Sequence, residues 1–248
     1  MNWIRYLLIV IGLCVCAALP VRAEQVVETW RSAFGTARSV SVDPTDGSCW
    51  AATGASVMHL AADGAILSQI NGFRRPSSVS ANPSDGSCWV ADTGDRQVVH
   101  LSAAGGELWR GEGFNGPSSV SVNPSDGSCW VADTGNQQVV HLSAAGEELW
   151  RGGGFSYPVS VSVNPTDGSC WVADLGDRDG ETVSSAVVHL SATGEELWRG
   201  GGFYDPRSVS VNPTDGSCWV GDHGQWNGWE YVNSAVVHLS AAGEELWR

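Results

Sequence analysis

From Pro117 to Arg151 the chain alternates apolar and polar residues with a period of two, the pattern of half-buried strands rather than helices. Val120 and Val122 alternate with Ser119 and Ser121, which predicts a first short strand. Asn123-Pro124-Ser125-Asp126-Gly127 reads as a turn, since proline presets one backbone angle and Asp-Gly accommodates a tight reversal. Cys129 to Ala132 is the expected second strand, Asp133-Thr134-Gly135-Asn136 the next turn, Val139 to Leu142 the third strand, Ala145-Gly146 another turn, and Glu148 to Arg151 the fourth strand. Four short antiparallel strands, apolar enough to be covered on both faces, are what one blade of a β-propeller needs.

The segment is one of several copies. The pentapeptide Asp-Gly-Ser-Cys-Trp recurs with its cysteines at Cys49, Cys88, Cys129, Cys170 and Cys218, at spacings of 39, 41, 41 and 48 residues. A period of that size denotes repeated supersecondary units. The fold class expected is therefore all-β, a propeller of four-stranded antiparallel blades, with repeats near 37–73, 74–114, 115–155, 156–203 and 204–248. Val26 to Phe34 resembles the fourth-strand segment EELWRGGGF, an extra N-terminal outer strand ahead of five complete blades. Two readings stand side by side: a six-bladed ring cut short, or five blades that close with that strand as an accessory. An open ring would leave a blade face uncovered and favour self-association.

Within the repeat, Pro117, Val120, Val122, Gly127, Val131-Ala132-Asp133, Gly135-Asn136, Val139 and Gly146 resemble the NHL repeat. The resemblance implies a β-propeller, typically six-bladed. It also admits an enzymatic alternative, an extracytoplasmic lyase or lactone hydrolase, because some NHL-like propellers resemble such enzymes. Asn-Pro after the first strand, cysteine at a common valine position and His141 at an aliphatic position depart from the usual repeat. All three are shared between copies and read as variants of blade packing.

Charge narrows the partners. There are 27 acidic residues against 13 basic ones, every one of the latter arginine, for a net charge of -14. A nucleic-acid ligand requires basic side chains to displace its counterions, so none is expected. Arg5, the apolar run from Tyr6 to Leu19 and Val21-Arg22-Ala23 read as a secretory signal peptide over residues 1–23, cleaved near Ala23. The expected mature chain is exported, to a periplasm or the extracellular space, with no membrane span.

Most residues with chemical potential recur in every copy and read as structural. The five repeat cysteines are expected to be buried and unbridged, since equivalent positions in successive blades lie beyond bridging reach. His59, His100, His141, His189 and His238 stand on third strands, too far apart to share one metal. Asp92, Asp133, Asp174 and Asp222 begin turns and are expected to accept backbone N–H bonds there. Trp50, Trp89, Trp130, Trp171 and Trp219, with Trp30, Trp109, Trp150, Trp198 and Trp247, read as packing between blades.

Function is sought where copies differ. Between the second and third strands, blades four and five carry insertions of seven and eight residues, Leu175 to Ser185 and His223 to Asn233. The connections between blades vary too: Arg74-Arg75, Asn115-Gly116, Ser156-Tyr157 and Tyr204-Asp205. Loops placed by a rigid scaffold are where binding usually resides. The candidate ligand-binding residues are Tyr157, Asp177, Asp179, Glu181, Tyr204, Asp205, His223, Trp226, Trp229 and Tyr231, which suit a glycan or a protein or peptide segment. Asp177 to Glu181 fails the spacing of a calcium loop, no metal or cofactor is expected, and no catalytic residue is assigned. Asp222-His223 is the one adjacent pair with acid–base capacity. The expectation is a binding or interaction scaffold, with a lectin-like glycan binder as one alternative and the enzyme as the other.

Overall fold

The computed structural model describes residues 36–176 and 185–248, except for the side chain of Trp226. The expected leader, the Val26–Phe34 strand, and Asp177, Asp179 and Glu181 lie outside the described residues. Blade one consists of β1 (Ser39–Val42), β2 (Cys49–Thr53), β3 (Ser56–Leu60) and β4 (Ile66–Asn71). Blade two is β5 (Pro76–Ala81), β6 (Cys88–Asp92), β7 (Gln97–Leu101) and β8 (Glu107–Gly111). Blade three is β9 (Pro117–Val122), β10 (Cys129–Asp133), β11 (Gln138–Leu142) and β12 (Glu148–Gly152). Blade four is β13 (Pro158–Val163), β14 (Cys170–Asp174), β15 (Ala186–Leu190) and β16 (Glu196–Gly200). Blade five is β17 (Pro206–Val211), β18 (Cys218–Asp222), β21 (Ala235–Leu239) and β22 (Glu245–Trp247), with a small hairpin of β19 (Gln225–Trp226) and β20 (Tyr231–Val232) between its second and third strands. Each blade is an antiparallel meander in sequence order.

The first turn of each blade forms as its residues dictate. In blade three Gly127 takes φ +74°, Asn123 Oδ1 accepts the Ser125 N–H at 3.1 Å, and Asp126 Oδ1 accepts that of Ser128 at 2.9 Å. These are the local side-chain bonds that make asparagine and aspartate turn formers.

Successive blades meet face to face. Trp89, Ala91 and Val98 of blade two pack on Phe114, Val120, Val122, Cys129, Val131, Val140 and Leu142 of blade three, and the corresponding residues pack at the other three interfaces. The first strands lie side by side on the inner edge, joined by serine hydroxyls. Val120 N–H donates to Ser78 Oγ at 3.2 Å and Val122 N–H to Ser80 Oγ at 3.1 Å, and the same pair of bonds recurs at every interface. The serines that alternate with valine are thus the inter-blade donors' acceptors, not merely the wet face of a strand.

The histidines act within the same interface. His100 stacks on Trp89 with ring centroids 4.3 Å apart, its Nε2 lies 2.9 Å from Ser87 Oγ, and its Nδ1 lies 3.1 Å from the Ala144 carbonyl of blade three. Burial lowers the pKa of His100, His141 and His189, which holds these rings neutral. The cysteines are free, and burial raises their thiol pKa values, that of Cys218 to about 12.

Blade five has no neighbour beyond it among the described residues. No contact comparable to those between successive first strands joins β17 to β1. Trp219 is accordingly 41% exposed, whereas Trp50, Trp89, Trp130 and Trp171 are all at 0%. His238 Nε2 and Ser217 Oγ are both buried without a partner, although the matching atoms are bonded in the other four blades. The His238 ring still stacks on Trp219, with centroids 4.1 Å apart, but among the described residues it has no following blade to meet.

Candidate functional site on the loop face

Connections between blades and the loops between second and third strands lie on one face. In blades three to five the loop backbone bonds directly to the connection: Gly135 N–H to Asn115 O, Leu175 N–H to Tyr157 O, and His223 N–H to Asp205 O. The aspartate closing each second strand holds that connection in place. Asp174 accepts the N–H groups of Ser156 at 3.0 Å and Tyr157 at 2.6 Å, and Asp222 those of Tyr204 at 3.1 Å and Asp205 at 2.8 Å. The aspartates therefore do accept backbone N–H bonds, but chiefly from the connection some 18 residues upstream rather than from the turn that they begin. They are buried, so each connection is presented on a fixed carboxylate.

Blade five gathers several of the sequence-selected residues. Asp205 Oδ2 accepts from both Arg207 Nε at 2.9 Å and Arg207 Nη2 at 2.7 Å, and lies 3.4 Å from His223 Nδ1. The His223 and Tyr231 rings approach to 3.8 Å between centroids. His223 thus pairs with Asp205 across the connection, not with its sequence neighbour Asp222, whose carboxylate is buried and taken by backbone donors. This corrects the acid–base pair read from adjacency.

The inserted hairpin pairs Gln225 with Val232 and Trp226 with Tyr231. At its tip Asn227 Oδ1 accepts the N–H groups of Trp229 at 2.9 Å and Glu230 at 3.0 Å, and Gly228 adopts φ +98°. That turn leaves the Trp229 indole 91% exposed. At the hairpin base, a Cβ on Gly224 would stand 2.3 Å from Val232 O, so only glycine fits. Tyr157 and Tyr204 are exposed on their own connections, at 39% and 47%. Ser185, at the end of the blade-four insertion, donates to Leu175 O or Tyr204 O, tying that insertion's base to the next connection.

Sequence reasoning noted the connections that end at Arg75, Gly116, Tyr157 and Asp205, before the proline that starts each first strand, but passed over the position after it, Ser77, Ser118, Val159 and Arg207. Thr36, Arg38, Arg75, Ser77, Gly116, Ser118, Tyr157 and Val159, with Ala37, Thr93 and Thr134, line a cavity of about 530 Å³ where the inner strands converge. A signal existed. Arg75, Gly116, Tyr157 and Asp205 occupy one repeat position, and Ser77, Ser118, Val159 and Arg207 another, so these positions vary in otherwise near-identical copies. Among the described residues no group of three or more His, Cys, Asp or Glu is arranged to hold a metal ion, and no helix is long and apolar enough to cross a membrane.

Together, five stacked four-stranded meanders and their inner first strands define a β-propeller. The NHL repeat family model matches residues 114–142, within blade three. Among solved structures, hydrazine synthase of Kuenenia stuttgartiensis is similar with a TM-score of 0.70 and 14% identity, over 90% of this chain and 68% of that one. A protein of unknown function from Bacteroides caccae is similar with a TM-score of 0.60 and 16% identity, over 85% of this chain and 80% of that one. At such identities the likeness is one of fold. No curated protein matches the sequence.

Proposed function

We propose that this propeller is an exported binding module whose ligand rim lies on the loop face of blades four and five. The observation that carries the reading is the hairpin inserted into blade five. It holds Trp229 91% exposed at a tight, hydrogen-bonded tip, and a cluster of Asp205, Arg207, His223 and Tyr231 stands at the adjoining connection. An isolated indole in water gains nothing for the fold, while a flat apolar surface beside carboxylates and an imidazole suits a sugar ring or a basic or aromatic peptide segment. Glu230 and Asp205 supply acceptors for ligand hydroxyls or cations, and Asp177, Asp179 and Glu181 belong to the same rim by sequence.

Screening glycan and peptide arrays with the chain and with a variant lacking Gly224 to Tyr231 tests the proposal. Capture should be lost in the variant, and its β-type circular dichroism should be retained. Unchanged capture by the shortened protein would sink the reading. Trp229→Ala should weaken the same ligand about tenfold or more, as expected for loss of an aromatic anchor.

A further inference from the structure

Nine arginines lie among the described residues, and they divide sharply. Arg110, Arg151, Arg199 and Arg248 each pair with a glutamate three residues before them, at 2.7 to 3.0 Å, and Arg207 pairs with Asp205 at 2.7 Å. Arg110, Arg199 and Arg248 also lie over Phe73, Phe155 and Phe203 of the connections that lead into their blades. These five are committed to the fold. Arg38, Arg74, Arg75 and Arg96 make no side-chain ion pair with any described residue. All four are exposed, and all four border two adjoining cavities on the loop face of blades one and two.

The first is the 530 Å³ cavity already described, where Arg38 and Arg75 are the charged residues among the described lining. The second, of about 670 Å³, shares Arg75 and Thr93 with it and adds Arg74, Gly94, Asp95 and Arg96. In a protein of net charge -14, acidic partners are plentiful, yet among the described residues Asp95 is the one carboxylate that lines these cavities, and Asp92 is bonded to the backbone beside them. Asp92 is fully buried and already accepts the N–H groups of Arg74 at 3.1 Å and Arg75 at 2.9 Å. Two opposing carboxylates against four guanidinium groups leave the place net positive.

The framework is fixed, while the guanidinium groups form no ion pair among the described residues. Arg74 and Arg75 are pinned through their backbone to Asp92, and Gly94 lets the neighbouring loop lie flat against them: a Cβ there would stand 2.9 Å from Arg75 N and from both arginine Cβ atoms. The hydroxyl wall of the mouth is satisfied internally, with Thr93 Oγ1 2.7 Å from both Ser77 Oγ and Pro117 O, and Thr134 Oγ1 2.7 Å from both Ser118 Oγ and Pro158 O. At blade three Gly116 lines the cavity beside Ser118 and Thr134, and a Cβ added to it would find Thr93 Cγ2 at 3.9 Å and no other described atom within 4 Å. Room is therefore left opposite the arginines. A guanidinium presents a planar fork of donors that matches an oxyanion, and the cavity is within the size of small-molecule sites.

We propose that the arginine side of the 530 Å³ cavity, at blades one and two, is an anion site, which takes a small ligand through a carboxylate or another oxyanion held between Arg38 and Arg75. Apart from Tyr157, which lines the cavity and stands on the blade-four connection, it shares no named residue with the rim on blades four and five, and either can fail without the other. The test is calorimetric titration of the chain with citrate, with inorganic phosphate, and with the uncharged triethyl ester of citrate. Citrate should bind, more weakly as salt is added, and the ester should not. Arg38→Gln and Arg75→Gln should each weaken citrate about tenfold, the effect of losing one charge-assisted contact. Arg151→Gln, which removes an arginine committed to Glu148, should leave the affinity unchanged, as should Trp229→Ala. Phosphate binding equal to citrate assigns the site to oxyanions generally, and citrate binding alone assigns it to carboxylates. The proposal is overturned by no heat with either anion at about 1 mM, by equal binding of the ester, or by an Arg151→Gln loss as large as that of Arg75→Gln.

Discussion

A histidine on a strand beside a cysteine and an aspartate invites a catalytic or metal reading, but the rings of blades one to four are structural ties. Each stacks on the tryptophan of its own second strand and reaches the serine of the Asp-Gly-Ser-Cys-Trp turn, and His59 and His100 also meet a carbonyl of the following blade. A pH dependence follows. Burial depresses the folded pKa of His100, His141 and His189 below 6.5, the value expected when unfolded. Below pH 6.5 the unfolded chain takes up protons that the folded chain refuses, so stability is full above that pH and declines as pH falls toward the folded values. The lowered carboxylates Asp46, Asp215 and Glu148 start from 3.8 to 4.5 and act in a lower window. Denaturant midpoints should therefore already fall between pH 7 and pH 5; a flat profile there would contradict neutral, buried rings. The thiols offer a second check. Cys88, Cys129, Cys170 and Cys218 are buried and should resist alkylation until the chain unfolds, while the half-buried Cys49 should react first.

Strands and connections are joined by the aspartate that ends the second strand in blades two to five, the residue on which the loop face depends. Asp174 satisfies the Ser156 and Tyr157 N–H groups from a fully buried position. Replacing it with alanine strands both donors, and Asp174→Ala should cost about 2–4 kcal/mol in chemical denaturation. The Tyr157 connection should loosen with it, seen as faster amide exchange at residues 156–157. A loss no larger than that of an exposed substitution such as Asp63→Ala would show that the carboxylate does not hold the connection. Tight blade turns and this buried carboxylate explain why loops can diverge on one face while the blade beneath stays nearly invariant.

Across the molecule, four interfaces are built alike and the last face is bare. Trp171 is fully buried between blades four and five, while the equivalent Trp219 is 41% exposed on the outer face of blade five, beside exposed Val236 and Trp247. Trp171→Ala should destabilise the fold by about 3–5 kcal/mol, as large-to-small core changes do. Trp219→Ala should cost clearly less, and its indole should be quenched by acrylamide in the native chain, unlike that of Trp171. Equal costs would mean that the face is covered in solution. An apolar patch of this kind commonly marks a contact surface.

The repeat was legible because strand alternation, turn chemistry and period are local: Val120 and Val122 against Ser119 and Ser121, Asn-Pro-Ser-Asp-Gly, and cysteines about 41 residues apart determine a four-stranded blade without reference to the rest of the chain. Its tryptophans, histidines and cysteines were legible as packing because identical residues in every blade cannot all converge on one site. Register between blades was not legible, since it depends on what each face meets. Only the tertiary structure turned Ser78 and Ser80 into acceptors for the next blade, moved His223 from Asp222 to Asp205, and carried the aspartates' bonds back to the preceding connection. It also separated arginines alike in sequence into those spent on a glutamate three residues away and those left facing a cavity. A contact three residues apart is readable along a strand; a cavity formed where four inner strands converge exists only once the blades have stacked.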